Sequence, residues 1–309
     1  MQQTFLGHSK VPSSRLAYGC WRIATSSDLS QNYAVAKTAI FTALDAGYTL
    51  FDHADIYCNG VSEQIFGRIL QDNPGLRSRM SIATKCGIRL KNQPHGAPAR
   101  YDFSKDHIIA QCELSLRRLG IETIDLLHLH RPDYLMDASE VAEAFDQLRA
   151  EGKVREFGVS NFRPSHVSLL QSALSFPLVV NQVEISLLQM KALEDGTLDY
   201  CQEKKMTPLA WSPLGGGLLA DGGKDLLPGQ MDYEPSFVVA IVDWIAKTRN
   251  VPKEVVSLAW LLKHPSGIIP IVGTTSPERI RRMAEASGVD LTREEWYHLL
   301  TAARPEPLP

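Results

Sequence analysis

The sequence predicts an α/β fold, a single closed (β/α)8 TIM barrel, and two patterns support this prediction. Short apolar runs of four to six residues alternate with longer amphipathic stretches along the chain, which is typical of parallel strands covered by helices. The runs are apolar nearly throughout, as expected of strands that are buried on both faces. Eight strand–helix pairs in 309 residues fit a closed barrel better than an open doubly wound sheet.

The predicted strands and helices follow one another in regular order. The predicted strands are Arg15–Gly19, Tyr48–Asp52, Met80–Thr84, Thr123–His128, Val154–Val159, Leu178–Asn181, Met206–Trp211 and Gly267–Ile271. The predicted helices are Leu29–Ala46, Ser62–Leu70, Ser104–Leu119, Ala138–Ala150, Pro164–Ser172, Gln189–Lys204, Phe237–His264, Pro277–Ala286 and Arg293–Ala303. We expect the seventh of these helices to be interrupted near Pro252, because proline removes a helical hydrogen bond.

Several helix ends are marked by capping residues. Ser104 and Asp106 stand at the start of one apolar-periodic stretch, and Gly120 follows its end. Asp137 precedes the next helix and Gly152 follows it. A polar residue before a helix and a glycine after it are the usual boundary pattern, so both helices are predicted with defined ends.

Two connections are longer than the others, Cys86–Phe103 and Gly215–Ser236. Both follow predicted strands, so a barrel places them at its C-terminal face, where active sites form. Their glycine and proline content predicts mobile loops, and long loops in compact domains often cover a site. No shift in composition marks a second domain, and we therefore predict one domain over residues 1–309.

Composition excludes several classes of protein. The chain is 44% hydrophobic and 22% charged, which excludes a disordered protein. Its net charge of −3 argues against general nucleic-acid binding. The chain has no uninterrupted apolar run of about 18 residues, so we expect no membrane span. The first residues, MQQTFLGHSK, lack the profile of a signal peptide, which predicts a cytoplasmic protein.

The cysteines favour the same compartment. They number five and include no CxxC pair, so neither a disulfide framework nor a zinc site is predicted, and no metal site is expected. Reduced thiols in the cytoplasm are the simplest interpretation. They are Cys20, Cys58, Cys86, Cys112 and Cys201.

Titratable side chains stand where three predicted strands end. Asp52 and Tyr57 lie in FDHADIY, Lys85 follows the third strand, and His128 and His130 lie in HLHRP. The carboxyl ends of barrel strands converge at one mouth, so we expect these side chains to lie close together. Any one of them alone would also fit a structural ion pair or a packed aromatic ring.

In these residues the chain resembles the aldo-keto reductase family along essentially its whole length. Asp52 and Tyr57 match the family's Asp-x4-Tyr element, Lys85 matches a lysine at the end of strand three, and His130 matches the Asp-Leu-x-x-x-His-x-Pro pattern. The segments HADIY, KCGI, HRPD and WSxLGGG are most similar to a bacterial branch of uncharacterised NADP-dependent oxidoreductases. The resemblance implies reduction of aldehydes or ketones to alcohols by hydride transfer.

Catalytic roles follow for the four matching residues. A phenol with a pKa near 10 is a poor acid at neutral pH, and a cation such as Lys85, held by Asp52, is expected to lower that pKa. Tyr57 would then protonate the carbonyl oxygen, which His130 would orient. His128 points the same way on an extended strand, so geometry does not choose between the histidines; the family pattern prefers His130.

The resemblance also implies a nicotinamide cofactor held across the barrel mouth without a Rossmann domain. Residues 215–220 formally match GxGxxA, but no helix with good propensity follows, so we interpret this segment as a loop. The resemblance assigns the nicotinamide to Ser160, Asn161, Gln182 and Trp211, the pyrophosphate to Ser212, Leu214 and Gly216, and the adenosine end to Gly273, Thr274, Thr275 and Arg279.

The residues assigned to the adenosine end of the cofactor determine whether we expect NADP(H) or NAD(H). Arg279 matches the family arginine that holds a 2′-phosphate, and a planar guanidinium suits that group. This predicts NADP(H). Gly273 and Met283 stand where many members have lysine and asparagine, and the missing cation leaves use of NAD(H) open.

The predicted substrate pocket is partly aromatic and partly polar. Trp21 matches a family aromatic that lines the pocket, and His53, Arg131 and Tyr134 are expected to join it. Arg131 stands where many members have an aromatic residue, which favours an anionic or polar carbonyl. The chain ends at Pro309, soon after its last predicted helix, so we expect a relatively open pocket.

Two other functions are consistent with parts of this pattern. Some members of the family act mainly as cofactor-sensing partners of other proteins, which predicts slow turnover. A barrel aldolase would use Lys85 as a Schiff-base nucleophile. For the reductase we expect a small-molecule carbonyl partner and a monomer. Cys58 and Cys86 are direct neighbours of Tyr57 and Lys85, and a nearby ammonium could make such a thiol sensitive to oxidation.

Overall fold

The structure is a computed structural model that describes residues 1–26, 28–220, 222–223 and 226–304. Residues 305–309 lie outside the described residues. They are the last five residues of the predicted domain, and they include the chain end on which the expectation of an open pocket rests. Residues 221, 224 and 225 of the long connection after the seventh strand also lie outside the described residues. Within the described ranges, no helix combines the length and apolarity needed to cross a membrane.

Eight parallel strands close into a barrel in sequence order, so the predicted fold is confirmed. Each strand pairs with the next one along the chain, and the last pairs with the first. The strands are β1 (Ala17–Gly19), β2 (Leu50–Asp52), β3 (Ser81–Cys86), β4 (Ile124–Leu129), β5 (Val154–Ser160), β6 (Val180–Glu184), β7 (Thr207–Trp211) and β8 (Ile269–Val272).

Helices connect the strands on the outside of the barrel. They are α1 (Leu29–Asp45), α2 (Val61–Asp72), α3 (Lys105–Leu119), α4 (Ala138–Ala150), α5 (Pro164–Ala173), α6 (Lys191–Glu194), α7 (Thr197–Glu203), α8 (Ser236–Arg249), α9 (Lys253–Leu262), α10 (Pro277–Ala284) and α11 (Arg293–Ala303). The interruption expected near Pro252 separates α8 from α9. The single helix predicted over Gln189–Lys204 is wrong: Gly196, at φ +80°, separates two short helices, since a left-handed residue cannot continue a right-handed helix.

Two short antiparallel hairpins were not predicted. One pairs Gln3–Phe5 with Pro12–Ser14. The other pairs Ile88–Arg89 with Arg100–Tyr101, inside the long connection that we expected to be a mobile loop. Backbone pairing therefore organises the two ends of that connection beside the barrel mouth.

The barrel interior is a packed apolar layer beneath a polar one. The apolar layer includes Leu50, Ala83 and Leu126, and it contacts Leu6 and Val11 from the N-terminal segment. Side chains on a strand alternate between its two faces. The residue two positions beyond each interior apolar residue therefore also points inward, one step nearer the mouth. The interior residues nearest the mouth are therefore Asp52 on β2, Lys85 on β3, His128 on β4, Gln182 on β6 and Trp211 on β7.

Candidate active site

Lys85 is the centre of a buried hydrogen-bond cluster at the barrel mouth. Its side chain is 0% exposed, and its Nζ donates to Asp52 Oδ2 at 2.7 Å and to the His53 carbonyl at 2.7 Å. A third contact joins Nζ to the Tyr57 hydroxyl at 3.1 Å. Burial lowers the pKa of Lys85, but Asp52 and Tyr57 outweigh burial and raise it overall. The amine is therefore held as an ammonium.

Tyr57 lies on the connection between β2 and α2, with its ring over the Lys85 ammonium, 4.9 Å from centroid to Nζ. Burial raises the pKa of the Tyr57 phenol, while Lys85 lowers it and Asp52 raises it further. The net shift is upward. Lys85 acts in the direction predicted from sequence, but the expected net lowering is wrong because burial is the larger effect.

His130 faces Tyr57 across the mouth, with ring centroids 6.2 Å apart in an edge-to-face arrangement. Burial holds the pKa of His130 well below its usual value, and Lys85 and Arg131 lower it further. The ring is therefore neutral at neutral pH. Its Nδ1 is buried and has no hydrogen-bond partner within the described residues.

The two neighbouring histidines lie elsewhere. His128 is fully buried in the barrel, level with Lys85 on the adjacent strand, and burial lowers its pKa well below the usual value. His53 was predicted to line the substrate pocket, and the structure contradicts this. Its side chain is 0% exposed and packs edge-to-face on Phe66 at 4.5 Å. Asp52 points inward, so His53, the next residue, points outward toward α2.

Four residues predicted to hold the nicotinamide form a connected network on the opposite wall. Asn161 Nδ2 donates to Ser160 Oγ at 2.8 Å, and Trp211 Nε1 donates to Asn161 Oδ1 at 3.0 Å. Gln182 Nε2 donates to Asp52 Oδ1 at 2.9 Å. This last bond joins the network to the Lys85 cluster through the second carboxylate oxygen of Asp52.

The residues after β7 form a tight turn with left-handed backbone conformations. Ser212 has φ +50°, and Gly216 has φ +66°. A Cβ on Gly216 would overlap the Leu226 side chain, and the backbone is left-handed, so glycine is favoured there. Leu214 is buried beside this segment.

The segment before α10 combines a helix N-terminus with cations. Ser276 caps the helix through a 3.4 Å bond from the Arg279 amide, and Arg279 itself is exposed. The Thr274 carbonyl accepts from the Tyr18 hydroxyl at 3.0 Å, and Thr275 follows it. A Cβ on Gly273 would lie 3.6 Å from Arg22 Nη1. Helix N-termini attract anions, and two guanidinium groups strengthen that preference here.

Two tryptophan–arginine pairs line the mouth. Trp21 is 41% exposed, with the Arg22 guanidinium 4.7 Å from its ring centroid. Arg131 lies over Trp211 at 5.3 Å, so it reaches from the end of β4 to the residue that ends β7. Tyr134, which was expected to join this pocket, is 92% exposed and does not form part of an enclosed wall.

The two cysteines next to catalytic positions differ in environment. Cys86 is buried, and burial raises the pKa of its thiol well above the usual value. It is therefore a protonated thiol of low reactivity, contrary to the oxidation hypothesis. Cys58 is half-buried, with its Sγ 3.5 Å from the Ser26 carbonyl, so for this residue the hypothesis remains a prediction.

A second buried polar cluster lies behind the Tyr57 connection and was missed in the sequence. Its members are Asp55, Glu63, Thr84 and Arg118. Burial, together with the neighbouring Glu63 carboxyl, raises the pKa of Asp55 to about 8. Glutamate on the buried face of a helix is the sequence pattern that could have revealed it, because an isolated buried charge needs a partner.

Comparison with known proteins agrees with this architecture. A model of the aldo/keto reductase family matches residues 15–302. The chain is 44% identical to a 6-dehydroglucose reductase of Agrobacterium fabrum, over 95% of each chain. It is 42% identical to the oxidoreductase YdhF of Escherichia coli, over 94% of this chain and 93% of that one.

Solved structures give the same result. The glycerol dehydrogenase AKR11B4 of Gluconobacter oxydans superposes with a TM-score of 0.84 at 26% identity, covering 99% of this chain and 97% of that one. The family match extends over nearly the whole barrel, and the named relatives are oxidoreductases. The chain therefore belongs to the aldo/keto reductase family and is a carbonyl-reducing oxidoreductase.

Proposed function

We propose that the protein reduces aldehydes or ketones with NADP(H), using Tyr57 as the proton donor. One observation carries the proposal: Lys85 Nζ lies within hydrogen-bond distance of both Asp52 Oδ2, at 2.7 Å, and the Tyr57 hydroxyl, at 3.1 Å. The phenol is protonated at neutral pH, since an ordinary phenol has a pKa near 10 and burial raises the pKa of Tyr57 further. When it gives up its proton, the adjacent ammonium stabilises the phenolate.

The residues at the mouth fit a nicotinamide cofactor, which supplies the hydride when bound. Trp211 offers an aromatic face that its bond to Asn161 orients, and Ser212 and Gly216 lie in the left-handed turn that follows it. Asn161 and Gln182 offer amide groups to the carboxamide. The α10 N-terminus with Arg279 suits a phosphate.

Each catalytic side chain then has a defined task. Tyr57 donates its proton to the carbonyl oxygen of the substrate, and in the oxidative direction it takes that proton back. His130 is neutral, so its ring N–H donates to the same oxygen and stabilises the charge that develops there. Asp52 keeps Lys85 charged. Asp52 also accepts a hydrogen bond from Gln182, which connects the proton-donor cluster to the cofactor side of the mouth.

The alternative functions are not supported by the comparisons. The aldolase also conflicts with the chemistry of Lys85. A Schiff base forms from a neutral amine, whereas Asp52 and Tyr57 outweigh burial and raise the pKa of this lysine. A cofactor-sensing protein does not require a proton donor held 3.1 Å from an ammonium.

Cofactor preference is tested at Arg279. We expect Arg279→Ala to weaken NADPH binding about tenfold and to leave NADH binding unchanged, because a phosphate–guanidinium contact is worth about 1.5–3 kcal/mol and is screened at an exposed site. Quenching of tryptophan fluorescence on cofactor titration measures both dissociation constants.

Arg281→Ala provides the matched control, since Arg281 is also exposed on α10. It should bind both cofactors as the wild type does. An equal loss of NADPH and NADH affinity in Arg279→Ala would contradict a 2′-phosphate contact. In that case Arg22, near Gly273, becomes the candidate cation.

For the substrate, we propose a small polar or anionic aldehyde. The A. fabrum relative is named for 6-dehydroglucose, which is a polyhydroxylated aldehyde. Arg131 supports the same class because its guanidinium lies over Trp211 at the mouth, where it meets a hydroxyl or carboxylate of a bound substrate. Trp21 offers an apolar surface beside it.

Three aldehydes of similar size test this proposal: glyceraldehyde, succinic semialdehyde and butanal. We expect Arg131→Met to lower kcat/KM about tenfold for succinic semialdehyde, the cost of one charge-assisted hydrogen bond, and to leave butanal unchanged. NADPH oxidation at 340 nm gives the rates. Arg163→Met, an exposed arginine after the next strand, is the control. A uniform loss over all three aldehydes would contradict a role in selectivity.

We also propose that the enzyme works as a monomeric single-domain protein in the cytoplasm. The residues assigned to catalysis and cofactor binding all come from one chain, which supports an active monomer. All five cysteines are free, and four are buried, which supports a reducing compartment.

A further inference from the structure

The connection that presents Tyr57 has an unusual backbone. Cys58 and Asn59 adopt left-handed conformations, with φ +47° and +54°, and Gly60 follows at φ +87°. Two consecutive non-glycine residues in this region cost about 1 kcal/mol or more each. Such a conformation persists only where surrounding contacts impose it, and the tyrosine hydroxyl depends on it for its position.

Arg118 of α3 supplies those contacts. Its Nη1 donates to the Asp55 carbonyl at 3.2 Å, two residues before Tyr57. The guanidinium also fills the space where Gly60 would carry a Cβ, three residues after Tyr57. One side chain therefore contacts both flanks of the tyrosine.

A buried carboxylate connects Arg118 to the strand that carries Lys85. Arg118 Nη1 contacts Glu63 Oε2 at 3.3 Å, and Glu63, which is 0% exposed, accepts from Thr84 Oγ1 at 2.7 Å. Thr84 directly precedes Lys85 on β3. The Asp55 amide also donates to the Lys85 carbonyl at 3.0 Å.

We propose that Arg118 and Glu63 are positioning residues for the Tyr57–Lys85 pair. They touch neither the proposed substrate position nor the proposed cofactor position. They act by holding the Tyr57 connection against β3, so that the hydroxyl stays 3.1 Å from the Lys85 ammonium. This inference rests on the proposed role of Tyr57.

The test compares Arg118→Met, Arg118→Lys and Arg117→Met. Arg117 neighbours Arg118 on α3 but is exposed, and its Nη1 lies 4.0 Å from the Glu113 carboxylate. We expect kcat to fall about 10- to 100-fold in Arg118→Met, as for a small displacement of a catalytic group, and about threefold or more in Arg118→Lys. Arg117→Met should match the wild type. NADPH affinity, measured by fluorescence, should stay within about twofold in all three.

A lower kcat with unchanged NADPH affinity distinguishes a positioning role from a general structural role. Equal losses of kcat and NADPH affinity in folded Arg118→Met, with no recovery in Arg118→Lys, would overturn the proposal, as would an unchanged kcat. If Arg118→Met does not fold, Arg118→Lys decides alone, because one ammonium cannot reproduce the guanidinium contacts on both flanks. A wild type inactive on every carbonyl tested would count against the proposed function instead.

Discussion

Replacing Tyr57 with phenylalanine should lower kcat for carbonyl reduction by about 10²- to 10⁴-fold, the contribution of a well-placed general acid. The substitution removes one hydroxyl, and with it the 3.1 Å contact to Lys85 Nζ. The ring stays and keeps its packing against His130. NADPH binding should therefore be unchanged, since the nicotinamide network joins this cluster through Asp52 rather than through the phenol.

The measurement is NADPH oxidation with a saturating aldehyde, with cofactor affinity determined separately by fluorescence. Tyr134→Phe is a suitable control, because Tyr134 lies near the mouth but is almost fully exposed. It should retain wild-type kcat. Full activity in Tyr57→Phe would mean that another group donates the proton, and the proposed mechanism would be wrong.

Replacing Lys85 with methionine should affect both activity and stability. Carbonyl reduction should become undetectable or nearly so, because the phenolate loses the cation that stabilises it. The free energy of unfolding should fall by about 3–5 kcal/mol, since removing one partner of a buried ion pair leaves the other uncompensated. That partner is Asp52, whose Oδ2 lies 2.7 Å from Nζ.

Urea unfolding followed by circular dichroism measures the stability change. Lys105→Met is the matched control, because Lys105 pairs with Glu143 at the surface at 3.1 Å. Surface pairs contribute at most about 1 kcal/mol, so this control should remain close to the wild type. A Lys85→Met protein as stable as the Lys105→Met protein would contradict the description of Lys85 as the centre of a buried cluster.

The sequence was sufficient to predict the barrel and the convergence of its strand ends. Asp52, Lys85 and His130 lie far apart in the chain, yet parallel strands bring their carboxyl ends to one mouth, so placing each at a strand end was enough. The alternation of apolar runs and amphipathic stretches carries that information directly. It holds no information about the pairing of short antiparallel hairpins in loops.

The errors have identifiable causes. His53 was placed in the pocket because it adjoins Asp52, although alternation on a strand turns neighbours to opposite faces. The pKa of Tyr57 was expected to fall because the charge of Lys85 is evident from sequence, whereas the depth of burial is not. Arg118 was missed because its partners come from other elements and share no local spacing with it.

The N-terminal segment that contacts the bottom of the barrel affects how protons are resupplied. Leu6 and Val11 are buried against the apolar layer that fills the barrel below Asp52 and Lys85. Among the described residues, this layer is apolar and offers water no polar path to Tyr57 from beneath. Each reduction consumes one proton from the phenol, and we expect its replacement to arrive from above the apolar layer, on the mouth side of the barrel. Proton resupply and release of the alcohol are therefore expected to use the same end of the barrel.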